Sequence, residues 1–470
     1  MSLTHALKWS FVSELVAKVI SPLVFIVLTR LLTPEDFGVV SSALMVISFS
    51  QIFWEAGMGK ALIQRQTDTE DAANIAFWVN IGLGIFIATL LFFASSYIAK
   101  IFFRDVRVIA VIKVMTVQVF LGAVSSVHTA LLQKGLNFKK LFWVRFVTVS
   151  LPGIASIPLA WNGMGYWAMV VGALVGQLAQ VIMLWNMSQW RPKFMFDVKI
   201  AMEMLKFAVW VALTSLFAWV YQWVDTLFLG LFFSLHEVGL FRVGNQLATT
   251  LFAILFSFMM PVLFSHFSSF SGHKQKIKTA LFASFSIIPV ISLPVAMGSF
   301  YFYPLIEKLL FNEKWTGVGY IFALISIKEA VLWIFANNME AVRAIDKPKL
   351  ETIVSFLSAI SNIIVLYYFS QIGFKEFIFG RSVIIMLLSF AIHFSVLLYV
   401  FPGYNVVYSK IFKYLLSWAF LLLMVSSLSS KLSMGSFDIF LKIIILIGFS
   451  VILLFSNKKQ IFTIFGFGRI

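Results

Sequence analysis

Leu32-Thr33-Pro34-Glu35-Asp36-Phe37-Gly38-Val39 and, about 200 residues later, Phe233-Ser234-Leu235-His236-Glu237-Val238-Gly239-Leu240 decide how this chain is read. Each stretch leaves an apolar run, crosses a short polar turn with an acidic residue, and reaches a glycine that opens the next apolar run. A bilayer span takes about 20 predominantly apolar residues, and by that measure six spans separate the two turns. Six is even, so both copies have the same orientation. The pattern is a parallel repeat of six-helix halves, a symmetry that points to transporters.

Working outward from the turns, fourteen apolar segments are legible, at roughly 9–32, 37–57, 75–98, 108–132, 141–161, 165–187, 204–233, 239–267, 277–304, 318–340, 351–371, 375–400, 410–430 and 437–456. The expectation is an all-α polytopic membrane protein of about 14 transmembrane helices. A six-helix lobe over 1–200 and a second over 201–402 would surround a central cavity. Two further helices and a short tail would fill 403–470. Pro22, Pro152, Pro158, Pro261, Pro289 and Pro294 fall inside segments, which membrane helices tolerate when neighbours satisfy the freed carbonyls.

Composition points the same way. Hydrophobic residues make up 61% of the 470 and charged residues 12%, whereas a soluble domain carries about 25% charged residues. Such a chain cannot cover a water-facing surface, so most of its solvent is lipid. With no Cys, disulfides, thiolate metal sites, iron–sulfur clusters and a cysteine nucleophile are excluded. The six His are scattered, so no zinc cluster can be written from their spacing, and no cofactor is expected.

The formal charge of +16 would suggest nucleic acid in a soluble protein, but here the basic residues fall between apolar runs and set orientation instead. With the N-terminus inside, the inner connections hold about 22 Lys and Arg and the outer ones about 10, which predicts both termini in the cytoplasm. The outer loop with Lys100, Arg104 and Arg107 runs against the trend. Glu14 and Lys18 inside the first segment, with no small-residue site after it, argue against a cleavable signal peptide. No connection approaches the roughly 50 residues of a small domain, so the function is expected within the membrane.

Ionisable residues in mid-membrane cost about 2.5–3.5 kcal/mol each on insertion scales, and so face a partner or a cavity. Glu14 and Lys18 stand four apart on span 1, on one helical face. Ser41, Ser48 and Glu55, with Gln51 between them, share a face of span 2. Thr214, Ala218, Tyr221 and Asp225 repeat the theme on span 7, and Arg242, Asn245, Gln246 and Thr249 on span 8. Lys328 and Glu329 are adjacent on span 10, and Lys113, Arg145 and Arg381 add positive charge on spans 4, 5 and 12. The candidate substrate-binding residues are Lys18, Lys113, Arg145, Arg242, Lys328 and Arg381; the candidate acidic cavity or coupling residues are Glu14, Glu55, Asp225 and Glu329. A water-filled, cationic cavity suits an anionic head group. Ala168, Gly172 and Gly176 form a small-residue face that reads as helix packing. Walker A, GxGxxG, HExxH and GxSxG sequences are all absent.

From Phe25 to Gln66, including Leu28-Thr29-Arg30-Leu31-Leu32-Thr33-Pro34-Glu35-Asp36-Phe37-Gly38 and Gly57-Met58-Gly59-Lys60-Ala61-Leu62-Ile63-Gln64-Arg65, the chain resembles the lipid-linked oligosaccharide flippases of the O-antigen and colanic-acid type. These are the polysaccharide transporters of the MOP exporter superfamily. The stretch around Asp225, Gly230, Gly239 and Phe241 is similar to that family's span 7–8 junction, although Phe241 and Arg242 stand where Tyr and a small residue are common. The resemblance implies an exporter, not an enzyme, in a bacterial inner membrane. Its substrate would be a polyprenyl-diphosphate-linked oligosaccharide repeat unit, and its neighbours membrane lipids, a polysaccharide polymerase and glycosyltransferases. Two alternatives stand beside it: a multidrug or cation antiporter of the same superfamily, which would need an acidic cavity, and a membrane-embedded polyprenyl-sugar glycosyltransferase or polymerase, for which Glu35 and Asp36 supply a superficial acidic loop.

Overall fold

A computed structural model of the chain describes residues 3–53, 58–195, 197–256, 273–345, 348–402, 405–431 and 435–457. Its main helices follow the apolar segments one for one. They are α1 (Leu3–Leu31), α2 (Pro34–Gln51), α3 (Thr69–Ile98), α4 (Val106–Lys134), α5 (Phe138–Trp161), α6 (Tyr166–Met187), α7 (Val198–Phe232) and α8 (Leu235–Phe256). They continue as α9 (Lys274–Leu310), α10 (Val318–Ile334), α11 (Pro348–Ser370), α12 (Phe374–Val400), α13 (Asn405–Lys431) and α14 (Gly435–Ser456). There is no strand among the described residues. Ten of these helices are long and apolar enough to cross a bilayer, and Ile411–Met424 and Leu441–Ser456 are shorter apolar stretches. The helices continue through Pro22, Pro152, Pro158, Pro289 and Pro294; Pro261 lies outside the described residues.

The two turns that anchor the sequence reading are built alike. At the start of α2, Asp36 Oδ2 accepts from the backbone N–H of Thr33 at 2.9 Å and from its hydroxyl at 2.7 Å, while Asp36 N–H donates back to Thr33 Oγ1 at 3.3 Å. At the start of α8, Glu237 Oε2 accepts from Ser234 N–H at 2.8 Å and from its hydroxyl at 2.9 Å, and Glu237 N–H returns to Ser234 Oγ at 3.4 Å. Each is a capping box, satisfying the amide groups that a helix leaves open at its start. The two turns also meet. A Cβ on Gly38 would collide with the carbonyl oxygen of Leu235, and a Cβ on Gly239 with that of Pro34. Pro34 and Leu235 hold equivalent places in the two copies, so the contact is reciprocal, as at a two-fold axis.

The chain packs as two compact units, one of Met1–Arg242 with Leu310–Trp315, the other of Val243–Leu309 with Thr316–Ile470. In the first, the short helix Gly59–Gln64 buries Ala61 and Leu62 against Ala72, Ala73, Ala76 and Phe77 of α3, Val127 and Ala130 of α4, and Met204 and Ala208 of α7. The alanines let backbones approach closely. Gly172 and Gly176 of α6 face Pro152 and Ser156 of α5, which is the packing role their spacing predicts. In the second unit, the Glu307 carboxylate accepts from the N–H of Gly319 at 2.7 Å and of Gly317 at 3.2 Å, placing negative charge at the start of α10. Tyr301 donates to the carbonyl of Leu421 at 3.0 Å and Trp418 to that of Leu293 at 3.1 Å, tying α13 to α9.

Candidate functional site

Four helices of the first unit, α2, α4, α6 and α7, line an open cavity of about 660 Å³ together with the short helix Gly59–Gln64. Helix α4 contributes one continuous face: Gln118, Gly122, Ser125, Ser126, Thr129 and Gln133 recur every three or four residues. Opposite stand Ser48 and Gln51 of α2, Gln177 and Gln180 of α6, and Ser215, Trp219, Gln222 and Trp223 of α7. Lys60 contributes an ammonium, and no carboxylate lines the cavity among the described residues. The hydroxyls are held by their own helices: Ser125 donates to Gly122 O, Thr129 to Ser125 O and Ser215 to Val211 O. That leaves their lone pairs as acceptors. Trp219 Nε1 donates to Ser48 Oγ at 3.0 Å and its ring packs edge-on against Phe49, fixing α7 against α2.

The predicted charges take other positions, and none of the described ones lines this cavity. Glu14 meets Arg145 at 2.8 Å, both side chains about half exposed, joining α1 to α5. Lys18 lies partly buried on α1. Lys113 carries its ammonium 5.1 Å from the centre of the Phe92 ring. Asp225 and Arg242 come together around Thr226. Asp225 Oδ1 accepts from Thr226 N–H at 2.7 Å, and Arg242 reaches the Thr226 hydroxyl at 3.4 Å while its guanidinium lies 4.2 Å from the centre of the Trp223 ring. Trp223 also lines the cavity, whereas neither Asp225 nor Arg242 does. In the second unit, Lys328 and Glu329 form a buried ion pair at 3.1 Å, and Arg381 is buried in a π-helical turn, Gly380–Ile384. Glu55 lies outside the described residues.

Two further predicted features resolve into structure. Asp36, besides its capping bonds, accepts the N–H of Tyr166 at 2.9 Å through Oδ1, so both its oxygens are engaged in holding α2 and α6. In the loop that runs against the charge trend, Arg107 pairs with Asp105 at 2.8 Å and with Glu35 at 3.1 Å, around a smaller cleft. Burial works to raise the Asp105 carboxyl, but hydrogen bonds from the Arg107 side chain and backbone, together with its charge, hold it below the ordinary carboxylate range.

Apart from Lys60 the cavity wall is uncharged, so ionisable residues in the sequence do not mark it. Ser48 and Gln51 are recovered from the span 2 stripe. The row Gln118–Gly122–Ser125–Thr129–Gln133 is equally periodic but uncharged. On α7 the lining face is Ser215, Trp219, Gln222 and Trp223, about one position round from most of the stripe expected there; Ala218 belongs to both.

Ten helices long and apolar enough to cross a bilayer, with a hydrophilic cavity among the helices of the first unit, define a polytopic α-helical membrane protein of the transporter class. Residues 27–319 match the family described as polysaccharide biosynthesis protein, and the chain belongs to that family. It is 22% identical over 331 residues to the succinoglycan biosynthesis transport protein ExoT of Rhizobium meliloti (strain 1021), covering 70% of this chain and 67% of that one. It is 21% identical over 384 residues to the lipopolysaccharide biosynthesis protein WzxC of Escherichia coli (strain K12), covering 80% and 74%. Its fold matches that of the lipid II flippase MurJ in an inward closed conformation, with a TM-score of 0.76 at 13% identity over 97% of this chain and 100% of that one.

Proposed function

We propose that this protein is a flippase that exports polyprenyl-diphosphate-linked oligosaccharide repeat units from the cytoplasmic to the outer leaflet for polysaccharide biosynthesis. The observation that carries the reading is a hydrophilic cavity lined by apolar helices in a chain of the polysaccharide biosynthesis family. Moving sugar hydroxyls through hydrocarbon costs several kcal/mol for each unsatisfied group, and a charged diphosphate costs far more. A wet cavity removes that barrier while the polyprenyl tail stays in lipid.

In this reading the lobes 1–200 and 201–402 open alternately to each side, and 403–470 lies outside them. Lys18 and Lys113 attract the diphosphate as point charges, and Arg242 as a bidentate donor. Arg145, Lys328 and Arg381 complete the cationic set, the first two exchanging Glu14 and Glu329 for phosphate. Glu14, Glu55 or Asp225 carries a counter-moving proton. The membrane potential, negative inside, assists an outward-moving anion by about 2.3 kcal/mol per charge per 100 mV. The excess of Lys and Arg in alternate connections supports cytoplasmic termini in a bacterial inner membrane, beside the polymerase and glycosyltransferases that make and use the repeat unit. No catalytic step is required of the chain, and the engaged carboxylate of Asp36 supports that. A cavity without a lining carboxylate among the described residues offers a cationic drug no counter-charge.

The test is reconstitution in proteoliposomes with a labelled polyprenyl-diphosphate glycan, read by an impermeant glycan-cleaving enzyme. Protein-dependent exposure on the opposite face is expected; no exposure overturns the transport reading. In cells, the Lys18→Gln/Lys113→Gln pair is expected to insert normally while lipid-linked repeat units accumulate on the inner leaflet. Normal polymer output overturns the assignment of those lysines.

A further inference from the structure

Six glutamines, Gln51, Gln118, Gln133, Gln177, Gln180 and Gln222, converge on the one cavity from four helices. Thirteen glutamines occur in the whole chain, so nearly half of them face a single space, which packing alone does not explain. Among the described residues, none of the six has a side-chain hydrogen bond to the protein, and the amide oxygen of Gln118 is buried without a partner. Gln133 and Gln222 are exposed and the other four partly buried, so the six amides keep donors and acceptors open toward the cavity, and such a cluster in so apolar a chain points to something it binds.

The chemistry selects the ligand. Each amide offers two N–H donors and one carbonyl acceptor, and the Ser and Thr hydroxyls on the same wall have their protons committed to helix carbonyls and present lone pairs. A surface of paired donors and acceptors carrying one ammonium matches a ligand whose groups both donate and accept, which is a sugar hydroxyl. It does not match a diphosphate, which only accepts and calls for clustered cations. Size agrees: about 660 Å³ lies within the roughly 300–1,000 Å³ of small-molecule sites. From Gln118 to Gln133 the lining runs about 22 Å along α4 at 1.5 Å per residue, enough for several linked pyranose rings.

We propose that this cavity is the recognition site for the oligosaccharide part of the substrate, read by the six glutamine amides and separate from the groups that hold the diphosphate. The proposal rests on the transport reading and deepens it. It assigns to α2, α4, α6 and α7 the discrimination between a complete repeat unit and a shorter one.

The experiment uses the full chain in proteoliposomes and two probes: lipid-linked repeat units extracted from cells that encode the chain, and the same lipid trimmed enzymatically to its first sugar. Wild-type protein is expected to move the complete unit at least tenfold faster than the trimmed one. Gln177→Leu/Gln180→Leu, which removes two amides with little change in volume, is expected to bring that ratio close to one. Gln118→Leu, at a site whose amide oxygen has no protein partner to lose, is the second variant and should lower the ratio in the same direction. A wild-type ratio near one, or a ratio unchanged in folded variants, overturns the proposal. Equal loss of both rates in the variants also overturns it. Wild-type vesicles that move neither lipid overturn the transport reading, and this proposal with it.

Discussion

Helix α2 joins two regions of the first unit that treat polar groups in opposite ways. At its start, where the two turns cross, Thr33 bonds with Asp36 and Ser234 with Glu237 through backbone and side-chain groups, and two glycines remove the space a side chain would fill. At its other end, Ser48 and Gln51 look into a cavity where six amides have no protein partner among the described residues. Hydrogen-bonding groups spent on one another hold structure, and groups left open toward a cavity can serve a ligand, so the first region reads as architecture and the second as a place for a ligand. Substitutions should therefore lower stability at the crossing and substrate handling at the cavity.

The largest effect belongs to the glycines. Gly38→Ala and Gly239→Ala each drive a methyl group into backbone carbonyl oxygen, which side-chain rotation cannot relieve. Each is expected to cost about 3 kcal/mol or more, read as loss of monodisperse protein on fluorescence-detected size exclusion after a temperature ramp. Because both contacts lie in one reciprocal crossing, the double variant should lose less than the sum of the two. Wild-type midpoints for both single variants would show that the crossing yields easily.

Next come the caps, where the two copies differ. Asp36 closes its own turn and also takes the N–H of Tyr166, whereas the Glu237 carboxylate accepts only from Ser234 among the described residues. Asp36→Ala is expected to cost about 1–3 kcal/mol, since an amide on α6 is left open, and Glu237→Ala about 0.5–2 kcal/mol, the value of a cap. Thermal midpoints in the same detergent give the order. A larger loss at Glu237 would reverse the ranking of the two copies.

How much of this was legible beforehand follows from the same contrast. Span positions rest on runs of about 20 apolar residues, and every described helix of that size falls on one. The turns were readable because capping boxes and close-approach glycines are local in sequence: Thr33 with Asp36, Ser234 with Glu237. The reciprocal meeting of Gly38 and Gly239 was not, since it depends on segments about 200 residues apart touching. The cavity was harder. Charges stand out in an apolar chain, and Glu14, Arg145, Lys328 and Glu329 were visible at once, yet in the structure they pair with one another. Glutamine draws less notice, and only the convergence of α4 with α2, α6 and α7 turns a row of amides into a wall.

A smaller effect tests where the two regions join. Trp219→Phe keeps most of the ring that packs on Phe49 but removes the hydrogen bond to Ser48. The expected loss is about 0.5–1.5 kcal/mol, the net value of one such bond, with a matching fall in the thermal midpoint. No fall would mean that water replaces the indole donor at Ser48 and that α7 is held to α2 by packing.

The smallest change in stability is expected inside the cavity, and its smallness is the informative part. Gln118 and Asn80 each have a buried amide oxygen without a partner, but the Asn80 amide also donates to Ser126 Oγ at 2.8 Å, whereas Gln118 has no side-chain hydrogen bond to the described protein. Gln118→Leu removes an unsatisfied polar group and breaks no protein hydrogen bond, so its midpoint should stay within about 0.5 kcal/mol of wild type or rise. Asn80→Leu strips a bond from a fully buried residue and should fall by about 1 kcal/mol or more. If Gln118→Leu proves the more destabilising of the two, its amide is holding the fold together. The division between a satisfied crossing and an open cavity would then fail at the position where it is most exposed to test.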